Sequence, residues 1–450
     1  PIDRRPGTGS WSRPGRDPAS VREVSRIDPS SLRDRFYDHR PGSASTFGFL
    51  QTDQLLEITA GSTDDVPGAQ RDASAAARRG GWVAGYVAYE AAPAFDAAMR
   101  VAAPPVDGLP LVWFGVFANR IGGCPLPEPR PYQLGAFRSL ETPAGHATSV
   151  ADIRRRIGLG EVYQVNHTLR LVAGFEGDVV GLYRDLAEAQ AAEYSALLRV
   201  GRFEVLSASP ELFFVRIGNR VTTRPMKGTA PRGRWIEEDQ LLRSRLLGSE
   251  KERAENIMIV DLLRNDLGRV SRFGSVRVDS LLDAERYPTV WQLTSSVSAE
   301  VDEAVGIDRL FEALFPCGSV TGAPKISATR VIEELEPEPR GVYCGAIGYL
   351  APPGHQPSAR FSVAIRTLLV DRDEGTAVYG TGGGVTYDST PSGEYDEALL
   401  KAEILTRRQP AFELLETLRW EPDGGFLFLE AHLARLAGSA EYFGRHCDPD

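Results

Sequence analysis

The stretch FEVLSASPELFFVRIGNRVTTRPM, residues 203–226, holds three runs of β-branched and aromatic residues, divided by a Ser-Pro break and by Gly218-Asn219. A two-residue Gly-Asn loop between such runs predicts a β-hairpin, because both residues accept the positive φ that a tight turn needs. Counting outward from that turn pairs Ile217 with Arg220 and sets Glu211 opposite Met226. Lys227 follows one position later, which strict alternation puts on the other face. Pro225 lacks an N–H and interrupts the ladder there, so a bulge could bring Glu211 and Lys227 to one side. In that case the pair could act as a general acid and a nucleophile; otherwise Lys227 is a solvated loop residue.

Similar strands flank this hairpin. GGWVAGYVAYEAA, LPLVWFGVFANR, RGVYCGAIGYLAP, ARFSVAIRTLLVD and GTAVYGTGGGVTYDS all read as β. HATSVADIRRRIGLGEVYQVNHTLRLVAGF reads as a helix and then a strand from Val162, and GLYRDLAEAQAAEYSALL as one further helix. SEKERAENIMIVDLLRNDLGRV predicts a helix capped by Ser249 with Glu252 in the capping-box position. PKISATRVIEELE and SGEYDEALLKAEILTRR predict two more. Hairpin runs with irregularly placed helices favour an α+β fold of large, mainly antiparallel sheets over an alternating parallel one. Residues 1–35, rich in Pro, Gly, Ser and Arg at their start, read as a disordered tail. After Arg408 the pattern changes, and residues 409–450 read as the start of a further, incomplete module.

The chain of 450 residues has ordinary globular composition, a net charge of −10 and a pI near 5.4. That balance argues against nucleic-acid binding, so an anionic ligand would need a local cluster of cations. No run approaches the roughly 18 apolar residues of a membrane span, and no secretory signal opens the chain, so the expected location is the cytoplasm. The 4 cysteines are scattered and the 6 histidines form no His-x-x-x-His pair, which leaves neither a disulfide framework nor a zinc site.

Glu252 and Glu255 share one helix face, and Glu394, Glu397 and Lys401 share another. Two facing carboxylate pairs would suit Mg2+, a hard cation that keeps water and can also hold an anionic substrate. The plain alternative is a cap and a set of exposed side chains. PCGSVTGAPK is not a P-loop, since Pro324 separates Ala323 from Lys325, yet a Gly-rich turn that feeds a helix can approach an anion closely. The run Gly382, Gly383, Gly384 weakens a strand unless something must come near it. Arg366 ends an alternating strand, where its guanidinium could fork onto a carboxylate or face water.

In this order, GEVYQVN, SASPELF, RPMKGTAPRG, ERAENIMIVDLLRNDLGRV, GSVTGAPK, GVYCGAIGY, FSVAIRT and SGEYDEALLKAE resemble the chorismate-utilising enzymes. That family includes the component I chains of anthranilate and aminodeoxychorismate synthases, with the isochorismate and salicylate synthases. The likeness is strongest over residues 146–408, the implied chorismate-binding catalytic domain, with 36–145 as the N-terminal part of the same fold. It implies two large sheets packed face to face with outer helices. It also implies Mg2+ on Glu255 and Glu397, with Glu252 and Glu394 contributing directly or through water. The substrate carboxylates would fall to Tyr349, Arg366, Thr321, the backbone of Gly382–Gly384, and Lys401.

Pro-Met-Lys-Gly-Thr is similar to the aminodeoxychorismate synthases, where a lysine is proposed to attack the ring; anthranilate synthases usually carry alanine there. Gln164 stands where the isochorismate and salicylate synthases carry a water-activating lysine, so the implied nucleophile is ammonia from a glutamine amidotransferase subunit. Glu211 matches the family acid. Lys227 would have to be neutral, with burial or cations such as Mg2+ and Arg224 lowering its pKa. Gln292, where many relatives have histidine, cannot protonate a leaving oxygen. The resemblance therefore implies 4-amino-4-deoxychorismate formation on the route to 4-aminobenzoate and folate. Anthranilate synthesis and a non-catalytic chorismate-binding subunit are the alternatives. Residues 409–450 resemble the start of an aminodeoxychorismate lyase, a PLP enzyme, but no lysine follows Lys401 and no PLP is expected here.

Overall fold

The computed structural model describes residues 22–23, 36–38, 47–49, 53–102, 107–122, 128–406 and 412–443. Apart from Arg22–Glu23, the N-terminal tail expected from sequence lies outside them. Among the described residues the strands form two 11-stranded sheets and a small two-stranded ribbon. In the first sheet the hairpin strands Leu212–Ile217 and Arg220–Arg224 lie between Ala359–Val363 and Val290–Glu300. In the second, Gln164–Gly177 pairs antiparallel with Thr376–Val385, which pairs with Thr367–Asp371.

Alternation along the strands builds three layers of core. In Trp82–Val87, residues Trp82, Ala84 and Tyr86 face Phe47, Phe49, Leu198 and Phe203 of the second sheet. Val83 and Val87 face the opposite way, toward the helices Val66–Arg78, Glu250–Gly268 and Ile307–Leu314. The outer face of the second sheet carries Leu169, Leu171 and Leu206 against the helix Val179–Gln190. The α+β fold of two facing antiparallel sheets with outer helices is thus the observed one. No helix among the described residues is long and apolar enough to cross a membrane.

Two local readings are corrected. The helix expected through residues 181–198 ends at Gln190, where Ala191 takes the left-handed conformation at φ 46°. Tyr194–Val200 then pairs with Phe203–Ser209, so sheet pairing overrides the helical propensity of these residues. After Arg408 the sequence reads as a strand, an Asp-Gly-Gly turn, a strand and a helix, but within residues 412–443 the strands are only Trp420–Glu421 and Gly425–Phe426, ahead of the helix Leu429–Phe443. That helix is docked on the main fold: the Tyr442 hydroxyl donates to the Gly233 carbonyl, and Arg232 donates to the Tyr442 carbonyl.

Candidate active site

The Gly218-Asn219 turn forms, and Ile217 pairs with Arg220 as the count requires. Further along, the pairing shifts between Leu212 and Val215, so Leu212 faces Arg224. Glu211 therefore sits beside Pro225, not opposite Met226. The strand leaving the hairpin continues along Val290–Glu300 in unchanged register across Pro225, from Thr223↔Val297 to Met226↔Thr294. The bulge comes later: Lys227 and Gly228 together oppose Leu293 before pairing resumes at Thr229↔Gln292. Gly228 carries it at φ 95°. One extra residue re-aims the strand, and Lys227 turns toward the cavity.

Side chains replace the ladder bonds lost at the bulge. Asn256 Nδ2 donates to the Lys227 carbonyl at 3.2 Å, and the Ser295 hydroxyl donates to Asn256 Oδ1 at 2.6 Å. Gln292 Nε2 donates to the Gly228 carbonyl at 2.9 Å, and Gln292 Oε1 accepts from the Thr229 hydroxyl at 3.0 Å. The amide at position 292 thus braces the bulge from within the cavity wall.

Glu211 is 3% exposed and lines the same cavity of about 180 Å³. Burial pushes its carboxyl up to about 7, against the opposing pull of a Ser319 hydrogen bond, the Lys227 charge and the Cys317 thiol. A carboxyl in that range holds a proton near neutral pH and can give it up, which suits a general acid.

Across the cavity lie the two helix faces read from sequence. Ser249 caps Glu250–Gly268 by accepting from the Glu252 N–H, and Thr390 caps Pro391–Ala402 by accepting from the Gly393 N–H. Glu252, Glu255, Glu394 and Glu397 all line the cavity. Burial raises the pKa of Glu252, Glu255 and Glu394, and neighbouring carboxylates add to the shift in each. Burial acts in the same direction on Glu397, but its 2.6 Å contact with Lys401 outweighs it and holds that carboxyl below the usual range. Burial in turn pushes the Lys401 ammonium down. Among the described residues no three His, Cys, Asp or Glu side chains converge as a ready metal cage.

The glycine run separates into three situations. A Cβ on Gly382 would stand 2.2 Å from the His167 carbonyl of the neighbouring strand, so this glycine serves the sheet. A Cβ on Gly383 would meet Glu394, Glu397 and Lys401 at 3.0–3.6 Å. On Gly384 it would lie 2.1 Å from Gln164 Nε2 and 2.9 Å from Lys227 Nζ. Gln164 is buried behind this point, with neither amide atom hydrogen-bonded within the protein. Pairing with Thr367–Asp371 stops at Tyr379, which frees that edge of Gly380–Gly384 from a second strand and leaves it along the cavity. Lys401 Nζ donates to the Gly382 carbonyl at 2.8 Å. Arg366, held at φ 52°, also lines the cavity and donates to the Lys401 carbonyl.

Two expected substrate residues lie elsewhere. Tyr349 follows Ile347 onto the inter-sheet face and packs edge-on against Phe47, because both belong to the alternating strand Ala346–Leu350. Within the GVYCGAIGY stretch the tyrosine that reaches the cavity is Tyr343, ahead of the strand, and Tyr379 of Thr376–Val385 lines the cavity as well. Gly380 makes room for its ring, which a Cβ there would meet at 2.2 Å. Thr321 is fully buried, and its hydroxyl donates to the Cys317 carbonyl at 3.1 Å. Ser319 and Asn166 line the wall instead. Arg224 does not serve as a cation beside Lys227, since its guanidinium pairs with Glu285 and Glu193. The charged groups that face Lys227 are the carboxylates of Glu211, Glu252, Glu255 and Glu397, together with the Lys401 ammonium.

The sequence profile of the chorismate binding enzyme family matches residues 43–407. Aminodeoxychorismate synthase component 1 of Bacillus subtilis is 39% identical over 289 residues, which cover 64% of this chain and 60% of that protein. Anthranilate synthase component 1 of Cereibacter sphaeroides is 40% identical over 276 residues, 61% of this chain and 54% of its own. The aligned part is thus less than two thirds of the length of these curated relatives. A crystal structure of anthranilate synthase component I from Streptococcus pneumoniae superposes with a TM-score of 0.65 at 26% identity, covering 86% of this chain and 94% of that one. The menaquinone-specific isochorismate synthase of Escherichia coli shares the fold, with a TM-score of 0.66 at 17% identity, over 86% of this chain and 94% of its own.

Proposed function

Since the chain belongs to the family of chorismate binding enzymes, we propose that it is the synthase subunit that aminates chorismate to 4-amino-4-deoxychorismate. Ammonia would come from a glutamine amidotransferase partner. The observation that carries this reading is the bulge that turns Lys227 into a cavity shared with Glu211. A lysine so placed has a use in ring substitution at C4 that anthranilate formation does not require.

In this mechanism Glu211 gives its proton to the C4 hydroxyl, which departs as water. Lys227 first passes its ammonium proton to one of the facing carboxylates, the freed lone pair of Nζ forms a bond to C2, and the ring double bonds shift toward C4. Ammonia then bonds to C4, the double bonds shift back, and the C2–N bond breaks with its electron pair returning to Lys227. The surplus ammonium proton returns to the Glu211 carboxylate, so the sum is chorismate plus ammonia to aminodeoxychorismate plus water. Arg366, Lys401 and the Gly383–Gly384 backbone would hold the two substrate carboxylates.

Hard oxygen donors on two facing helices fit Mg2+, which is content with one or two carboxylates, water and substrate. Glu255 and Glu397 would hold it, with Glu252 and Glu394 directly or through water. Once bound, it would offset the like charges that raise the pKa of these carboxyls and would attract the substrate anion.

Relatives named anthranilate synthase are as similar as those named aminodeoxychorismate synthase, so anthranilate formation is the second reading. Residues 409–450 would be a lyase-like segment in either case. Incubation with chorismate, Mg2+ and ammonium, followed by product analysis, separates the two. The expected product keeps its enolpyruvyl group. Anthranilate with released pyruvate, or no turnover of chorismate, would sink the proposal.

A further inference from the structure

Behind the cavity, Arg340 and Glu336 form an ion pair whose side chains are 1% and 4% exposed. Arg340 Nε and Nη2 meet the two Glu336 oxygens at 2.9 and 2.6 Å. The remaining guanidinium contacts are to main-chain carbonyls: Val320 at 2.6 Å and Asn166 at 2.7 Å. Those two residues line the substrate cavity from different elements, the turn Gly318–Val320 and the strand Gln164–Gly177. The same turn carries Ser319, a hydrogen-bond partner of Glu211. The Asn166 N–H also donates to the Thr321 carbonyl at 2.8 Å, directly joining the two walls.

The pair is itself fixed from both sheets. Glu336 accepts from the Thr168 N–H at 2.8 Å and from its hydroxyl at 2.9 Å. Glu90, just beyond the strand Trp82–Val87, accepts from the N–H groups of Arg340 and Gly341 at 2.7 and 2.8 Å. The Tyr89 ring lies 4.6 Å below the guanidinium. A planar cation with five donors is suited to such multidentate work, and a point-charge ammonium is not.

We infer that Arg340, oriented by Glu336, is a positioning residue that clamps the Cys317–Thr321 turn to the Gln164–Thr168 strand and so sets Ser319 and Asn166 against the reacting groups. It touches no substrate and acts through the two carbonyls it holds. A buried ion pair kept only for stability would gain little, because apolar substitutes often match it. Two donors spent on cavity-wall carbonyls give this pair a further role. The inference rests on the proposed use of this cavity as the chorismate site.

Arg340→Lys keeps the charge beside Glu336 but cannot span both carbonyls. The double variant Arg340→Met, Glu336→Gln removes both charges together and leaves an amide oxygen for the Thr168 N–H. Both are compared with wild type by hydrogen–deuterium exchange, chorismate turnover and thermal unfolding. Arg340→Lys is expected to expose the amides of 164–168 and 317–321 to faster exchange. It should also lower kcat about 10- to 100-fold, the worth of a hydrogen bond to a charged group, with KM within about threefold. The double variant should repeat that pattern in exchange and kcat; its melting temperature should fall somewhat, because Glu336 also pairs with the buried Arg170 at 3.6 Å.

Unchanged exchange in both peptides, or lost thermal stability with kcat intact, would overturn the inference. Should the wild type fail to consume chorismate, the functional reading falls, while the exchange comparison still decides the clamp.

Discussion

At one end of the cavity Glu211 is enclosed by protein and pushed up by burial to about 7. At the other, Glu397 keeps a side chain 50% exposed and is held ionised by Lys401, although burial works against it. The same residue type is thus poised to carry a proton in one place and a charge in the other. Carboxyls whose surroundings push their pKa values apart mark a division of labour. On the proposed function, Glu211 would serve proton transfer, and Glu397 cation and substrate binding.

The sharpest way to break this division is to neutralise each carboxyl. Glu211→Gln removes the acid and should cut kcat by about 10²- to 10⁴-fold, with chorismate affinity little changed. Glu397→Gln should instead raise the Mg2+ concentration needed for half-maximal rate and the chorismate KM, with a smaller loss at saturation. If both variants lose affinity alike and keep kcat, the two ends do not differ in the way argued.

The pH dependence follows with its sign. Glu211 is raised in the folded chain, so its contribution to stability is complete below about 4.5 and is lost as pH rises through about 7. The raised Glu252, Glu255 and Glu394 act in the same direction. Wild-type kcat/KM should fall above about pH 7 as the acid deprotonates. Denaturant melts at pH 5 and pH 8.5 should show Glu211→Gln relieved of about 3 kcal/mol of the alkaline destabilisation.

Much of this was legible in the sequence because it depends on local rules. Helix faces follow from three- and four-residue spacing, so Glu252, Glu255, Glu394 and Glu397 meet in one cavity as expected. The α+β layering follows from hairpins and alternation. What was not legible depends on single-residue shifts and long-range partners. The bulge at Lys227–Gly228 moves the register by one residue, and only the facing strand reveals it. Asn256 and Gln292, which brace that bulge, carried no motif of their own that pointed there. Gln164 sits behind the glycine run, reachable from sequence only through the pairing of Gln164–Gly177 with Thr376–Val385.

Within that run, Gly384→Ala and Gly383→Ala probe the two ends with one methyl each. At Gly384 the new carbon would intrude on Gln164 and Lys227, at 2.1 and 2.9 Å, so kcat should fall about 10- to 100-fold from displacement of Lys227. At Gly383 the nearest atom, Glu394 Oε2, is 3.0 Å away at the end of a flexible side chain. The expected cost is a few-fold rise in KM for chorismate or Mg2+. Equal losses in kcat for both would show that the lysine and glutamate ends move as one unit.

The smallest expected effect separates the two tyrosines of GVYCGAIGY. Tyr349 packs in the inter-sheet layer with Trp82 and Ile347 and is not among the residues that line the cavity with Lys227 and the carboxylates. Tyr349→Phe should leave kcat and KM within about twofold, whatever it does to the melting temperature. Tyr343→Phe changes a ring that lines the cavity and should raise the chorismate KM about 3- to 10-fold, the worth of one neutral hydrogen bond. The reverse ranking would mean that the strand Ala346–Leu350 presents its other face to the substrate. A one-residue slip of that kind would also take Ile347 out of the inter-sheet core, where it packs now.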